Sequence, residues 1–428
     1  MMMNQMHQEK LSHAYIGLDL HKYTHTAVVM NCFSERITTI EIENKPSEFD
    51  ILLKQIKSKT KGLTLIFGLE DVGGNGRSLA VFLKSKGFVV KEVNAALAAG
   101  YRKGDAQYKK SDEHDAQCVA EVLLHRLHKL PDANPQDLHW TLSQLVSRRN
   151  VLVKNQTTLT NQLHELLKHH YPSYNKFFSD IRGKAAMCFW HTYPSPKHLK
   201  DISVEELSMT LREASRNSVS IKKAQRILDI ISSDGNTTEG YQDQRDFIVR
   251  SLVRELLYQK EEMTKVEEQM EKTEAMLKYQ LQTMPGISTV TSCALISEIG
   301  DIHRFSNPNK LAKFAGIAPV NFSSAGKGKD KVSKQGNRKL HGIFYFLAVQ
   351  QVQVSRSTRI PGNQAFFNYY QKKIQEGKTK QQALVCVMRR LVNIIFGMMK
   401  SGSAYRMPIV EVQTPNKDLH KLAEGKVA

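Results

Sequence analysis

Four carboxylates draw attention because of where they fall. Asp19 lies in the apolar run Tyr15-Ile16-Gly17-Leu18-Asp19-Leu20, and Glu70 follows a second apolar run, Leu63 to Leu69. Burying an acid in such a strand is costly without a partner. Asp112 and Asp115 stand three apart at the head of a helical stretch, so they share one face, about a turn apart. Hard oxygen donors gathered at one point need a cation, and Mg2+ or Mn2+ suits them. An ion held there bridges phosphate oxygens and stabilises charge on the attacking and leaving atoms. Asp112 and Asp115 also have a plainer reading, as first-turn acids of a helix capped by Ser111.

A second chemical stretch runs from Pro319 to Asn337. Ser323, Ser324, Gly326, Gly328, Ser333 and Gly336 are interleaved there with Lys327, Lys329, Lys331 and Lys334. Arg338 and Lys339 follow, and only Asp330 opposes these six cations. Glycines let a backbone approach closely and lysines neutralise phosphates, so the stretch reads as a polar loop that grips nucleic acid.

The whole chain supports a polyanionic partner. Its 61 Lys and Arg outnumber 42 Asp and Glu, for a net charge of +19 over 428 residues. An anionic membrane fits the sign as well, but no run approaches the roughly 20 apolar residues a span requires. The opening MMMNQMHQEKLSHAY lacks the apolar core of a secretory signal. Five scattered cysteines without a CxxC pair suit free thiols in a reducing cytoplasm. Sixteen histidines show no zinc-ligand spacing.

The acids are strung along alternating strands and helices. Tyr15–Leu20, Thr26–Met30 and Arg36–Ile42 are closely spaced β-rich segments, which predicts an antiparallel meander. Pro46–Lys59 has helical periodicity, Leu63–Leu69 reads as a buried strand and Ser78–Lys86 as a helix. Phe88–Val93 is strand-like and Asp112–His128 helical. The order βββαβαβα is that of the α/β ribonuclease H-like fold, in which the first and fourth strands are neighbours and would bring Asp19 and Glu70 together.

From Gln136 to His170 the pattern becomes a long helix with Leu138, Leu145, Leu152, Leu159 and Leu166 every seven residues. A second long helix carries Val249, Leu256, Met263, Met270 and Leu277 at the same interval. Such helices pair within one chain or form a seam between chains, in a dimer or tetramer. Beyond Met284 the chain is mainly helical, with helices predicted over Ser288–Ile299, Asn309–Ala315, Lys339–Val354 and Lys380–Met399. The Pro285-Gly286-Ile287 turn reads as a helix break or as a phosphate-facing helix hairpin. The expected division is a catalytic domain over 13–130, long helices with a helical insert over 136–283, a serine-loop domain over 284–360 and a helical extension over 361–428.

Several of these stretches resemble a known family. Ile16-Gly17-Leu18-Asp19-Leu20-His21-Lys22, Gly68-Leu69-Glu70 and Lys110-Ser111-Asp112-Glu113-His114-Asp115-Ala116 are similar, in order, to the motifs of the DEDD insertion-sequence transposases. That family includes the Piv-type DNA invertases. The likeness continues through Pro285-Gly286-Ile287, Ile299-Gly300-Asp301-Ile302, Arg304-Phe305, Ala315-Gly316-Ile317-Ala318-Pro319 and Ser333-Lys334-Gln335-Gly336-Asn337-Arg338. It spans about 14–128 and 281–355. The resemblance implies an N-terminal domain like the RuvC resolvase, with Asp19, Glu70, Asp112 and Asp115 as its metal-binding tetrad. It also implies a serine nucleophile soon after Ala318-Pro319. Ser324 matches it, but Ala325 stands where the family usually has glycine, which leaves Ser323 as the alternative. The implied activity is cleavage and joining of donor and target DNA through a phosphoserine link, guided by a structured non-coding bridge RNA. Two rivals remain open: a nuclease that activates water with the same acids, and a nucleic-acid-binding protein without catalysis.

Overall fold

The structure is a computed structural model that describes residues 10–70, 74–104, 111–133, 135, 137–237, 240–318, 320–324, 327–331 and 336–407. The chain divides into two compact units. One comprises Met1–Thr141, Thr283–Gly286 and Leu295–Ala428, the other Leu142–Gln282 and Ile287–Ala294.

A five-stranded sheet of order β3-β2-β1-β4-β5 organises the first unit. Strands β1 (His13–Leu20), β2 (Thr24–Met30) and β3 (Arg36–Glu43) form the antiparallel meander that their spacing predicts. Helix α1 (Pro46–Lys59) leads to β4 (Thr64–Leu69), which lies parallel to β1. Helix α2 (Arg77–Ser85) leads on to β5 (Val89–Glu92), parallel to β4. β1 and β4 are apolar on both faces because helices cover both. Ile16, Leu18, Phe67 and Leu69 pack with Phe49, Leu52 and Ile56 of α1 and Leu79 and Leu83 of α2. On the other face Tyr15 and Ile66 meet Ala98 of α3 (Ala95–Gly104) and Val119, Val122 and Leu123 of α4 (Asp112–Arg126). The split follows the two-residue period of a strand, and each such side chain contributes about 1.5–3 kcal/mol on burial.

The second unit holds most of α5 (Asp137–His170), then α6 (Lys184–Thr192), α7 (Val204–Ser215), α8 (Ile221–Asp234) and α9 (Gln242–Leu277). Its core corrects the simple heptad picture. Leu152 and Leu159 are buried but Leu145 and Leu166 only half so, while Leu163 and Leu167 are fully enclosed. Leu159, Leu163 and Leu167 share one cluster with Val249, Val253 and Leu256 of α9 and with Tyr171, Phe177, Phe189 and Trp190 from between the long helices. The rows therefore feed a three-way core filled by aromatic residues of the insert. Farther along, Arg149 Nε donates to Glu267 Oε1 at 2.6 Å, so the long helices run antiparallel and meet within one chain.

The remaining helices are α10 (Thr289–Ile299), α11 (Pro308–Phe314), α12 (Arg338–Val352), α13 (Gln364–Gln375) and α14 (Lys380–Ser401). α14 is long and apolar enough to cross a bilayer, contrary to the expectation from apolar runs alone. Its Val387, Leu391, Val392, Ile395 and Met399 are nevertheless buried, and it packs on α11, α12 and α13. That burial makes it the core helix of this region. At the Pro285-Gly286 turn, Gly286 has φ +85°, and a Cβ there would lie 2.7 Å from Nε2 of the buried Gln351, which donates to Pro285 O at 2.5 Å. The turn is a tight packing point against α12.

The loop expected over Pro319–Lys334 is instead a hairpin in its described part. β6 (Val320–Ser324) pairs antiparallel with β7 (Lys327–Lys331), from Val320↔Lys331 to Ser324↔Lys327. Glycine and lysine content concealed that pattern in the sequence.

Candidate functional site

The site begins with the register of the sheet. Gly17 pairs with Gly68 and Leu18 with Leu69 on parallel β1 and β4. The residues next along are Asp19 and Glu70, which therefore end neighbouring strands side by side. Gly17 also admits α4. A Cβ on Gly17 would fall 2.1 Å from Ala116 O and 2.3 Å from Ala120 N, so only glycine permits this approach. The close packing carries the first turn of α4, with Asp112 and Asp115, up to the strand ends. Ser111 caps that helix, its Oγ accepting from His114 N at 3.2 Å. The two acids are thus first-turn residues and members of the acidic group at once.

Two basic side chains divide the four acids between them. His21 Nε2 lies 3.1 Å from Asp19 Oδ2 and 3.4 Å from Asp112 Oδ1. Arg102, from α3, places one guanidinium nitrogen 3.1 Å from Asp115 Oδ1 and another 3.4 Å from Glu70 Oε1. Asp19, Asp115 and Glu70 are largely enclosed, at 17%, 14% and 22% side-chain exposure, whereas Asp112 is 58% exposed. Burial pushes the Asp19 carboxyl above the usual range; His21 opposes the shift, and Asp115 and Asp112 add to it. Burial likewise raises Glu70, with Arg102 opposing and Asp19 and Asp115 adding. The acids repel one another even with both bases in place, and a divalent cation would relieve that repulsion.

The donor set fits such an ion. Ligand atoms of Asp19, His21 and Asp112 lie within 4.8 Å of one another, close enough for one metal. Carboxylate oxygens favour Mg2+ or Mn2+, and an imidazole is compatible with a transition metal. The sequence reading passed over His21 and Arg102. His21 stands two residues beyond Asp19, just past the end of β1, and its place in the Asp19-Leu20-His21 string was the available signal. Nothing in the sequence pointed to Arg102.

The basic segment is described in part. Ser323 and Ser324 close β6, and Lys327, Lys329 and Lys331 lie on β7 opposite Ser324, Phe322 and Val320. The side chains of these five residues lie outside the described residues, as does all of Lys334. Arg338 and Lys339 open α12 and are exposed, and Lys339 Nζ lies 3.9 Å from Glu298 Oε1. The hairpin is anchored at both ends. Gly336, at φ +111°, packs so closely on Gly316 that a Cβ would sit 2.6 Å from the Gly316 nitrogen. Asn337 caps α12 and donates through Nδ2 to Glu298 Oε2 at 2.7 Å. Arg304 stacks over Phe305 and Phe314, 4.7 Å from each ring centroid, and one of its nitrogens lies 3.8 Å from Glu92 Oε2 on β5. The first unit thus joins its sheet to its C-terminal helices through a guanidinium stacked on two phenylalanine rings.

Comparison with known proteins matches both ends of the chain. Residues 16–172 match the DEDD transposase family model of the IS110 type, and residues 278–366 match the model for transposases of the IS116/IS110/IS902 family. The 44.8 kDa protein of insertion element IS116 from Streptomyces clavuligerus is 24% identical over 90% of this chain and 94% of its own length. The 42 kDa protein of insertion element IS900 from Mycobacterium paratuberculosis is 22% identical over 91% of this chain and 96% of its own length. The pilin gene-inverting protein of Moraxella bovis is 29% identical over 31% of this chain and 39% of its own length. The two family models span more than half of the chain between them, and with relatives aligned along nine-tenths of it they support its place among the DEDD transposases of the IS110/IS116 family.

Proposed function

We propose that this chain mobilises an insertion sequence by cutting and rejoining DNA at a composite site of acids and a serine. The observation that carries the reading is the meeting of Asp19, Glu70, Asp112 and Asp115, from β1, the end of β4 and α4, around two basic side chains. Mg2+ or Mn2+ held by the four carboxylates would supply charge stabilisation to a scissile phosphate and lower the pKa of a nearby hydroxyl. The RuvC-like assignment of the five-stranded sheet belongs to this proposal and is supported by its strand order.

Ser324 is the proposed nucleophile, with Ser323 as its alternative. The serine Oγ bonds to the phosphorus and gives up its proton, while the leaving DNA oxygen takes a proton and departs as a hydroxyl. Joining reverses these steps with a hydroxyl of the other strand, so the phosphodiester energy is conserved and no high-energy cofactor is consumed. Lys327, Lys329, Lys331, Lys334, Arg338 and Lys339 would hold phosphates of donor and target DNA and of a structured guide RNA. We further propose action in the cytoplasm as a dimer or tetramer. Leu256 already belongs to a core within the chain, so the contacts between copies would lie elsewhere than on its row.

A DNA substrate nicked beside the scissile phosphate tests the serine step. With Mg2+ present, a protein–DNA adduct that survives denaturation is expected from wild type and from Ser323→Ala, and none from Ser324→Ala. An adduct from Ser324→Ala but not from Ser323→Ala would move the nucleophile by one residue. Cleavage without an adduct in any variant would make water the nucleophile.

A further inference from the structure

Arg102 touches two of the four acids at once through a guanidinium that carries its charge at any working pH. One guanidinium nitrogen meets Asp115 at 3.1 Å and the other approaches Glu70 at 3.4 Å. The two carboxylates come from different elements, α4 and the end of β4, and no local helix pairing explains the contact. A planar fork is suited to bridging two such groups, and a lysine in its place would present only a point charge. The side chain is 20% exposed, so the pairing is shielded from solvent and screened less than a surface ion pair. His21 provides the matching contact to Asp19 and Asp112, which accounts for all four acids.

We propose that Arg102 is a resident counter-ion that keeps Glu70 and Asp115 together in the ion-free protein and withdraws from them when a divalent ion is taken up. The proposal rests on the reading of the four acids as a metal centre. A guanidinium and a dication cannot both stay in contact with the same two carboxylates without strong mutual repulsion. Arg102 is carried near the end of α3, a helix with a single buried side chain, Ala98, so the arm holding the guanidinium is lightly packed. Occupation by Arg102 sets a threshold for loading: the empty site is partly compensated, and an ion must compete with a tethered cation to enter.

Two measurements on the full chain test this, neither of which depends on catalysis. The first is Mn2+ affinity, read from the paramagnetic resonance of free Mn2+, for wild type and Arg102→Ala. The variant is expected to bind Mn2+ about tenfold more tightly or better, because a positive charge beside the dication is gone. The second uses wild type alone and so does not depend on the variant folding. Phenylglyoxal modification of Arg102, followed by mass spectrometry, is expected to speed up several-fold when Mn2+ is added. Equal or weaker Mn2+ binding by a folded Arg102→Ala, or unchanged or slower modification of Arg102 with Mn2+, overturns the proposal and leaves the metal centre standing. Absence of Mn2+ binding by wild type removes the metal centre and this proposal together.

Discussion

Replacing Asp19 by Asn removes one negative charge from the acidic group at nearly constant volume, and the geometry gives the effect two opposite signs. For an ion, the loss is large. A dication about 2.1 Å from a carboxylate oxygen interacts with that charge by roughly 4 kcal/mol even at the dielectric constant of water, or about a thousandfold in affinity. For the ion-free fold, the sign reverses. The Asp19 carboxyl sits above its usual range chiefly because it is buried, so its ionised form is a burden to the folded state. The stability linked to its protonated form is present below the unfolded value and is lost as pH rises through the raised, folded one. Asp19→Asn should therefore melt at or above wild type in EDTA at neutral pH. The gap should close as acid protonates the wild-type carboxyl. The assays are Mn2+ titration, thermal melting across pH in EDTA, and cleavage of labelled donor DNA in Mg2+. A folded Asp19→Asn that binds Mn2+ as tightly as wild type, or cuts DNA at a similar rate, would refute the tetrad.

Three further outcomes are expected. Gly17→Ala should cost more than the roughly 1–3 kcal/mol typical of overpacking, since the new methyl meets backbone atoms of α4 at 2.1 and 2.3 Å; a melting temperature within 2–3 °C of wild type would contradict that packing. Leu256→Asp should unfold the second unit by burying a charge in its core, whereas Met263→Asp, at a half-buried position, should be milder. Circular dichroism and light scattering together check this, and dissociation of a folded Leu256→Asp oligomer would show that the row mates between chains. Joint replacement of Lys327, Lys329 and Lys331 by Gln should lower the slope of log affinity against log salt by up to about 2.7, near 0.9 per phosphate contact; an unchanged slope with altered sequence preference would assign them to base recognition.

Asp19 and Glu70 were legible because both apolar runs end in a carboxylate and because the order of elements resembles a fold whose first and fourth strands are neighbours, as β1 and β4 are here. Arg102 was not legible because α3, Ala95–Gly104, is a short stretch rich in alanine and glycine, and nothing in its residue types marks one arginine as facing the acids. The hairpin was hidden by composition, although Val320 and Phe322 alternate with Asn321 and Ser323 as a strand would. The heptad rows identified two long helices correctly but could not name what they face. Tyr171, Phe177, Phe189 and Trp190 fill that core, and aromatic residues dispersed through an irregular insert leave no period to read.

The discontinuity of the first unit has a consequence for how the protein is made. Its sheet is complete once β5 has been synthesised, yet Arg304, which reaches Glu92 on β5, and the helices around α14 lie beyond residue 295. All of 142–282 must leave the ribosome in between, roughly 7 to 28 s at bacterial and slower elongation rates. During that interval the nascent chain displays the acidic residues while the segment with Ser323 and Ser324 does not yet exist. Interrupted translation products would carry the proposed ion-binding half without either the proposed nucleophile or the cations proposed to grip DNA. On the proposed mechanism, the order of synthesis withholds the composite site until the polypeptide is nearly finished.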